Sequence, residues 1–260
     1  MRNWSNISLS VMNKIKSPTP YKVSVLIPAY KVAMNPFEKI SFQRCRDILS
    51  SYSRLLICPE SLDIREYNAC DPQIKAVRFP DHFFNSLMSY SRLCCLPEFY
   101  ARFLNCEFIL IHQLDCYVFE DKLLYWCERD FDYIGAAWPN YEHMTESKKR
   151  ISRLPFLKYF LRRAGQGGFS LRKTKTLLRA AHRLARLDFL TKRFPEDVLW
   201  TTLAGRLFSP FRLAEFDEAL RFGFDAAPDT CYVLNDKKLP FGCHGWYGKH
   251  ADFWKDKIPQ

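Results

Sequence analysis

The sequence predicts an α/β protein in which a single domain forms a mostly parallel sheet flanked by helices. Three observations lead there. Short apolar runs rich in β-branched residues recur along the chain, the segments between them carry helical periodicity, and the runs end in proline or polar residues. The first run is Val23, Val25, Leu26 and Ile27, stopped by Pro28. It is nearly continuous rather than alternating, which marks a strand buried on both faces. Similar runs follow at 55–58, closed by Pro59, at 76–79, at 108–111 within FILIHQLD, and at 133–136 as YIGA.

Between the runs, Pro36 can open a helix reaching about residue 51, because proline fits the first helical turn. From 85 to 104 the residues Leu87, Leu93, Leu96, Phe99 and Phe103 recur at near-helical spacing across Pro97. That predicts one kinked helix or two short ones. The stretch Ser-Pro-Thr-Pro at 17–20 reads as a linker, since its prolines refuse both helix and ladder bonds. Residues 1–20 are therefore expected to be an N-terminal extension, and 21–260 the domain.

With 48% hydrophobic and 26% charged residues the chain can build a globular core, so disorder is not expected except at its ends. The net charge of +11 calls for an anionic partner: a nucleotide diphosphate, a lipid diphosphate or a membrane surface. Nucleic acid is not expected, because no RNP-like aromatic strand, zinc spacing or basic recognition helix is present. Ten cysteines without a CxxC pair read as buried reduced thiols of a cytoplasmic protein. The most apolar segment, 103–119, is interrupted by Glu107, His112 and Asp115 and cannot span a membrane. The expectation is a soluble protein, with peripheral contact at the inner face of a membrane as an option. The cation-rich segment 140–166 reads either as a solvated face or as a surface that docks anionic lipid or acceptor.

Ligands of parallel sheets bind at the carboxyl ends of the strands. Asp115 falls there and could hold a divalent ion against two phosphates, or could merely cap a turn. GQGGFSLRK, 165–173, places three of the nine glycines just before a strand-like stretch, allowing close backbone approach or simply a tight turn. Glu196 and Asp197 follow Pro195 at a helix start, where acids favour the dipole but where one could also serve as general base. His244, among glycines and aromatics in PFGCHGWYGKH, could ligate a metal, and Lys249 could neutralise diphosphate charge.

Together the segments VSVLIPAY, FFNSLMSYSRLCCLPEFY, ILIHQLDCYVFEDKL, YIGAAW, GQGGFSLRK, EDVLW and GCHGW resemble, in order and spacing from about 23 to 246, a family of bacterial GT-A-like glycosyltransferases of otherwise unassigned function. The resemblance implies a GT-A-like, Rossmann-like sheet and a transferase that moves sugar from a nucleotide sugar, UDP-linked by expectation. The implied acceptor is a hydroxyl of a glycan or lipid-linked saccharide in surface-polysaccharide synthesis. It places the donor near Pro28, Ala29, Tyr30, Arg92, Gln113, Asp115 and Lys249, and the acceptor near Trp138, Gly167, Gly168, Phe169 and Trp246. QLD is similar to an Asp-x-Asp motif in which Gln113 replaces the first acid, so Asp115 and His244 are the implied ligands of Mn2+ or Mg2+. Asp197 is the implied base, with Glu196 beside it, and the reaction an inverting one. CHGWYGK is also similar to a metal-binding segment of retaining families. The alternatives are a nucleotidyltransferase, disfavoured because IPAYKVAMNPF contains no glycine, and an inactive carbohydrate-binding relative.

Overall fold

The computed structural model of the protein describes residues 22–139, 165–204 and 210–259. Within them the chain forms β1 (Val23–Pro28), β2 (Ser53–Pro59), β3 (Lys75–Phe79), β4 (Phe108–His112), β5 (Cys116–Val118), β6 (Tyr133–Ala136), β7 (Gln166–Lys173), β8 (Gly223–Phe224) and β9 (Gly242–His244). Six of these make the main sheet in the order β3-β2-β1-β4-β7-β6. β1, β2, β3 and β4 run parallel, and β7 runs antiparallel between β4 and β6. The sheet is therefore mostly parallel, as the unbroken apolar runs predict.

The two faces of the sheet explain those runs. Val23, Val25 and Ile27 of β1 and Phe108 and Leu110 of β4 enter one core cluster, while Leu26, Ile109 and Ile111 enter another. Side chains alternate across a strand, so a strand covered on both sides carries apolar residues on both of its faces. A second, three-stranded sheet, β5-β9-β8, sits over a third cluster built around Trp246 and Trp254.

Helix Pro36–Ile48 begins as expected. Asn35 caps it by accepting the Glu38 N–H at 2.9 Å, and the Glu38 carboxylate accepts the Asn35 N–H at 2.8 Å. The 85–104 region resolves into two helices, Leu87–Leu93 and Pro97–Ala101, broken where Pro97 starts the second. One expectation needs correcting. Gly167 and Gly168 lie inside β7 rather than in a turn ahead of it, because this strand runs against β4 with its glycines beside the sheet's ligand edge. The short strands β5, β8 and β9 were not anticipated: two- and three-residue strands carry no readable period.

All ten cysteines are free, and nine are buried. Desolvation pushes the thiols of Cys45, Cys94, Cys127 and Cys231 up to about 12, so they are inert apolar packing groups. No helix among the described residues is long and apolar enough to cross a membrane. The expected extension 1–20 and the basic segment 148–163 lie outside the described residues.

Candidate active site

Three chain segments meet where β4 ends. Gln113 follows β4 directly, and its N–H donates to the Gly168 carbonyl of β7 at 2.9 Å. Asp115 starts the turn into β5, and its carbonyl accepts the N–H of Gly245, at 2.9 Å, behind β9. His244, the last residue of β9, thereby faces Gln113 and Asp115. Its Nε2 lies 2.9 Å from Gln113 Oε1 and 3.3 Å from Asp115 Oδ1.

The other ring nitrogen fixes the imidazole. His244 Nδ1 lies 2.8 Å from Asp225 Oδ1, and the Trp138 indole N–H donates to Asp225 Oδ2 at 3.1 Å. With its proton held on Nδ1 by that carboxylate, the imidazole would turn its Nε2 lone pair inward. Asp225 itself is placed by β8, which pairs with β9 in parallel, so both residues leave their strands at the same end.

Nε2, Gln113 Oε1 and Asp115 Oδ1 are then three lone-pair donors converging on one point. Cis ligands about 2.1 Å from an octahedral ion stand about 3.0 Å apart, close to the separations observed. Imidazole, amide oxygen and carboxylate together suit Mn2+ or Mg2+. The donor set therefore fits a divalent ion. Cys116 is also within reach, and its Sγ, Asp115 and His244 offer ligand atoms within 4.8 Å of one another. Burial holds its thiol well above the ordinary range, and it donates to the Gly168 carbonyl at 3.2 Å, which sets it aside as a ligand.

β7 can approach this cluster only because it carries glycine. A Cβ on Gly168 would stand 2.4 Å from Gln113 Oε1 and 2.5 Å from His244 Nε2, and one on Gly167 would stand 2.2 Å from Glu196 Oε1. The Gln166 side chain completes the wall, accepting the Gly168 N–H and lying 3.4 Å from His244 Nε2.

Beside the cluster opens a cavity of about 370 Å³. Pro28 and Tyr30 bound it after β1, Leu87 and Tyr90 on the helix Leu87–Leu93, Gln113 and Asp115 after β4, and Tyr247 on the far side. This volume suits a small-molecule ligand. Tyr30 is 61% exposed and offers a free ring face, whereas Ala29 is buried and donates its N–H to the Ile57 carbonyl. Tyr247 is anchored from below: it stacks on Phe37, and its hydroxyl donates to Glu38 Oε1 at 3.4 Å.

Glu196 and Asp197 open a short helix, Glu196–Leu199, on the other side of Gly167. Arg172, fully buried on β7, donates to Glu196 Oε1 at 2.8 Å, and also to Ser170 Oγ, the Tyr100 hydroxyl and the Gly167 carbonyl. Burial opposes the guanidinium's charge, but Glu196 together with Tyr100, Tyr133 and Cys94 outweighs it and holds Arg172 well above its ordinary value. Asp197 is 6% exposed, and its Oδ1 accepts the Val198 N–H at 2.8 Å. Neither acid is among the described residues lining the cavity.

The structure thus brings Pro28, Tyr30, Gln113, Asp115 and His244 together, with Gly167 and Gly168 as the wall that leads to Glu196 and Asp197. It places others elsewhere. Arg92 is half-exposed and faces Asp188 at 3.8 Å, and Lys249 is exposed beyond the Gly245 turn. Phe169, Trp138 and Trp246 are buried, Trp246 donating its indole N–H to Ser41 Oγ at 2.7 Å, so none presents a ring to a sugar. Sequence reasoning missed Asp225, Gln166 and Arg172. Asp225 stands in FGFDAAPD with no motif around it, and Arg172 stands beside Lys173 at the end of GQGGFSLRK, where nothing local singles it out.

The architecture is that of the GT-A class. The chain resembles core-mannan synthase A from Aspergillus fumigatus in its Mn/GDP form (11% identity, TM-score 0.50, covering 76% of this chain and 71% of that one). It also resembles the galactosyltransferase LgtC bound to donor and acceptor sugar analogues (11%, 0.54, 85% and 86%) and mouse xyloside xylosyltransferase 1 (11%, 0.53, 92% and 99%). At the level of sequence, residues 73–244 match the family described as "Protein of unknown function (DUF5672)", and the chain belongs to that family. No curated protein matches the sequence.

Proposed function

We propose that this protein is a glycosyltransferase that moves a sugar from a nucleotide-sugar donor, UDP-linked in the first instance, to a hydroxyl of a glycan or lipid-linked saccharide in surface-polysaccharide synthesis. One observation carries the reading: Gln113, Asp115 and His244 converge at the carboxyl end of β4 beside the cavity, with Asp225 fixing the imidazole. The resemblance to GT-A structures supports it, as does a net charge of +11, which suits a diphosphate ligand and contact with an anionic membrane surface.

In this reading Asp115, His244 and the Gln113 amide oxygen hold a divalent ion, which when bound neutralises charge on the donor's diphosphate. Tyr30 and Pro28 receive the nucleoside, and Tyr247, held by Phe37 and Glu38, closes the cavity. Arg172 pins Glu196 and so fixes the start of the helix that carries Asp197. Asp197 takes the proton of the acceptor hydroxyl as its oxygen bonds to the anomeric carbon. The bond from that carbon to the diphosphate oxygen breaks, and the nucleoside diphosphate leaves. Entry opposite the leaving group inverts the anomeric configuration.

The test is nucleoside-diphosphate release from a panel of UDP- and GDP-sugars with Mn2+ and a saccharide acceptor. Asp115→Ala is expected to abolish release with the fold intact. Asp197→Asn should lower kcat by about 10² to 10⁴-fold with donor affinity preserved. A product of retained configuration by proton NMR would remove Asp197 as base, and absence of turnover with every donor would leave an inactive carbohydrate-binding relative.

A further inference from the structure

Away from the cavity, the helix Thr174–Leu184 continues through the turn Ala185–Leu187 into the short helix Asp188–Thr191. One face is core: Leu177, Ala180, Ala181 and Leu184 pack with Phe99 and Trp200. The other face is cationic. Lys175, Arg179, Arg183, Arg186, Lys192 and Arg193 are all exposed, and Asp188 is the single acid from 175 to 193. That acid is already matched by two cations, Lys192 at 2.5 Å and Arg92 at 3.8 Å. Amid this charge, Phe189 is 65% exposed.

An exposed aromatic side chain surrounded by cations is an unfavourable solvent face but a favourable one against anionic lipid. The charges meet headgroups, and the ring buries in the boundary of the acyl layer. Nucleic acid would satisfy the charges as well, but its stacking platforms line up several rings along a strand, whereas Phe189 is the single exposed aromatic from 174 to 193. We infer that the face carrying Arg183, Arg186 and Phe189 docks the protein on the surface of an anionic lipid bilayer.

The position gives the contact a use. Phe189 lies seven residues before Glu196 along the chain, and Arg92, which faces Asp188, sits in the last turn of the helix whose first residue, Leu87, lines the cavity at 74% exposure. A bilayer against this face would therefore lie beside the segment leading to Asp197 and alongside the cavity mouth, where a lipid-linked acceptor arrives. The docking itself rests on none of the site's chemistry, so it stands or falls separately from the transferase reading.

The experiment is co-sedimentation of the full chain with vesicles of phosphatidylcholine alone or with one third phosphatidylglycerol, at low and high salt. The wild type should bind the anionic vesicles at least about tenfold more tightly, and salt should weaken that binding. Arg183→Glu with Arg186→Glu should cost about tenfold or more, and Phe189→Ser about fivefold, with the circular dichroism and melting of the wild type. If the double variant folds poorly, Phe189→Ser and the salt dependence of the wild type carry the test. Equal binding to both vesicles overturns the inference, as does unchanged binding by the folded variants. Binding to single-stranded RNA but not to vesicles, lost on the same substitutions, would assign the face to nucleic acid instead.

Discussion

Asp225 touches no ligand in the proposed reaction, yet the site depends on it. Without a carboxylate behind Nδ1 the His244 proton is free to sit on Nε2, where it would face Gln113 and Asp115 and occupy the position of an ion. Asp225→Asn keeps the size and can still contact Trp138, but it loses the charge that orders the imidazole. Mn2+ affinity measured by calorimetry should fall about 10 to 100-fold while the melting temperature without metal barely moves. An unchanged affinity would show that His244 is not a ligand. The same logic explains why Gln113 in QLD is compatible with an ion: an amide oxygen supplies a donor without charge, and Asp115 supplies the charge.

The joint between β2 and the helix Arg65–Cys70 is locked by a buried ion pair. Arg54 on β2 is 5% exposed and Asp71, just past the helix, 1%; two hydrogen bonds of 2.5 and 3.2 Å join them. Burial raises the Asp71 pKa, but the Arg54 guanidinium and the Gln73 N–H outweigh it and hold the carboxyl below its ordinary 3.8. A carboxyl lowered in the folded state stabilises above its unfolded pKa of about 3.9, and that contribution is lost as pH falls through the folded value. Asp71→Asn should cost about 3–5 kcal/mol at neutral pH, because it leaves a buried guanidinium without its counter-charge. Urea unfolding from about pH 5 down to about pH 2 should show the wild type losing stability more steeply than the variant. Parallel curves would show that Asp71 contributes nothing to the acid limb.

At the scale of the whole molecule, the cation cluster and the cavity are built from opposite parts of the chain. Gln113 and His244 are 131 residues apart. A ligand that bridges them therefore ties the main sheet to the small sheet and stabilises the native state by mass action. A nucleoside diphosphate with Mn2+, at about 100 times its dissociation constant, should add about 2.7 kcal/mol and raise the melting temperature measurably. Either component alone should do less, since in the proposed reading an ion held by Asp115, His244 and Gln113 would neutralise the diphosphate. Equal shifts from nucleotide with and without Mn2+ would separate nucleotide binding from the metal.

Much of this molecule is written locally in its sequence. The unbroken runs at 23–27, 108–111 and 133–136 require strands covered on both faces, and Pro36 and Pro97 start the helices where they stand. Strands and helices are set by periods of a few residues, so one window of sequence suffices to see them. Asp115 and His244 were also legible as candidates, from a carboxylate ending an apolar run and a histidine among glycines. Their convergence was not, nor were Asp225 behind the imidazole, Arg172 under Glu196, or the burial that removes Trp138 and Trp246 from any sugar. Those depend on which strand lies beside which: β7 turned antiparallel between β4 and β6, and β9 brought up against β5. Local pattern records that a segment must be buried, whereas the packing of the whole chain decides which segment buries it and which side chains then meet.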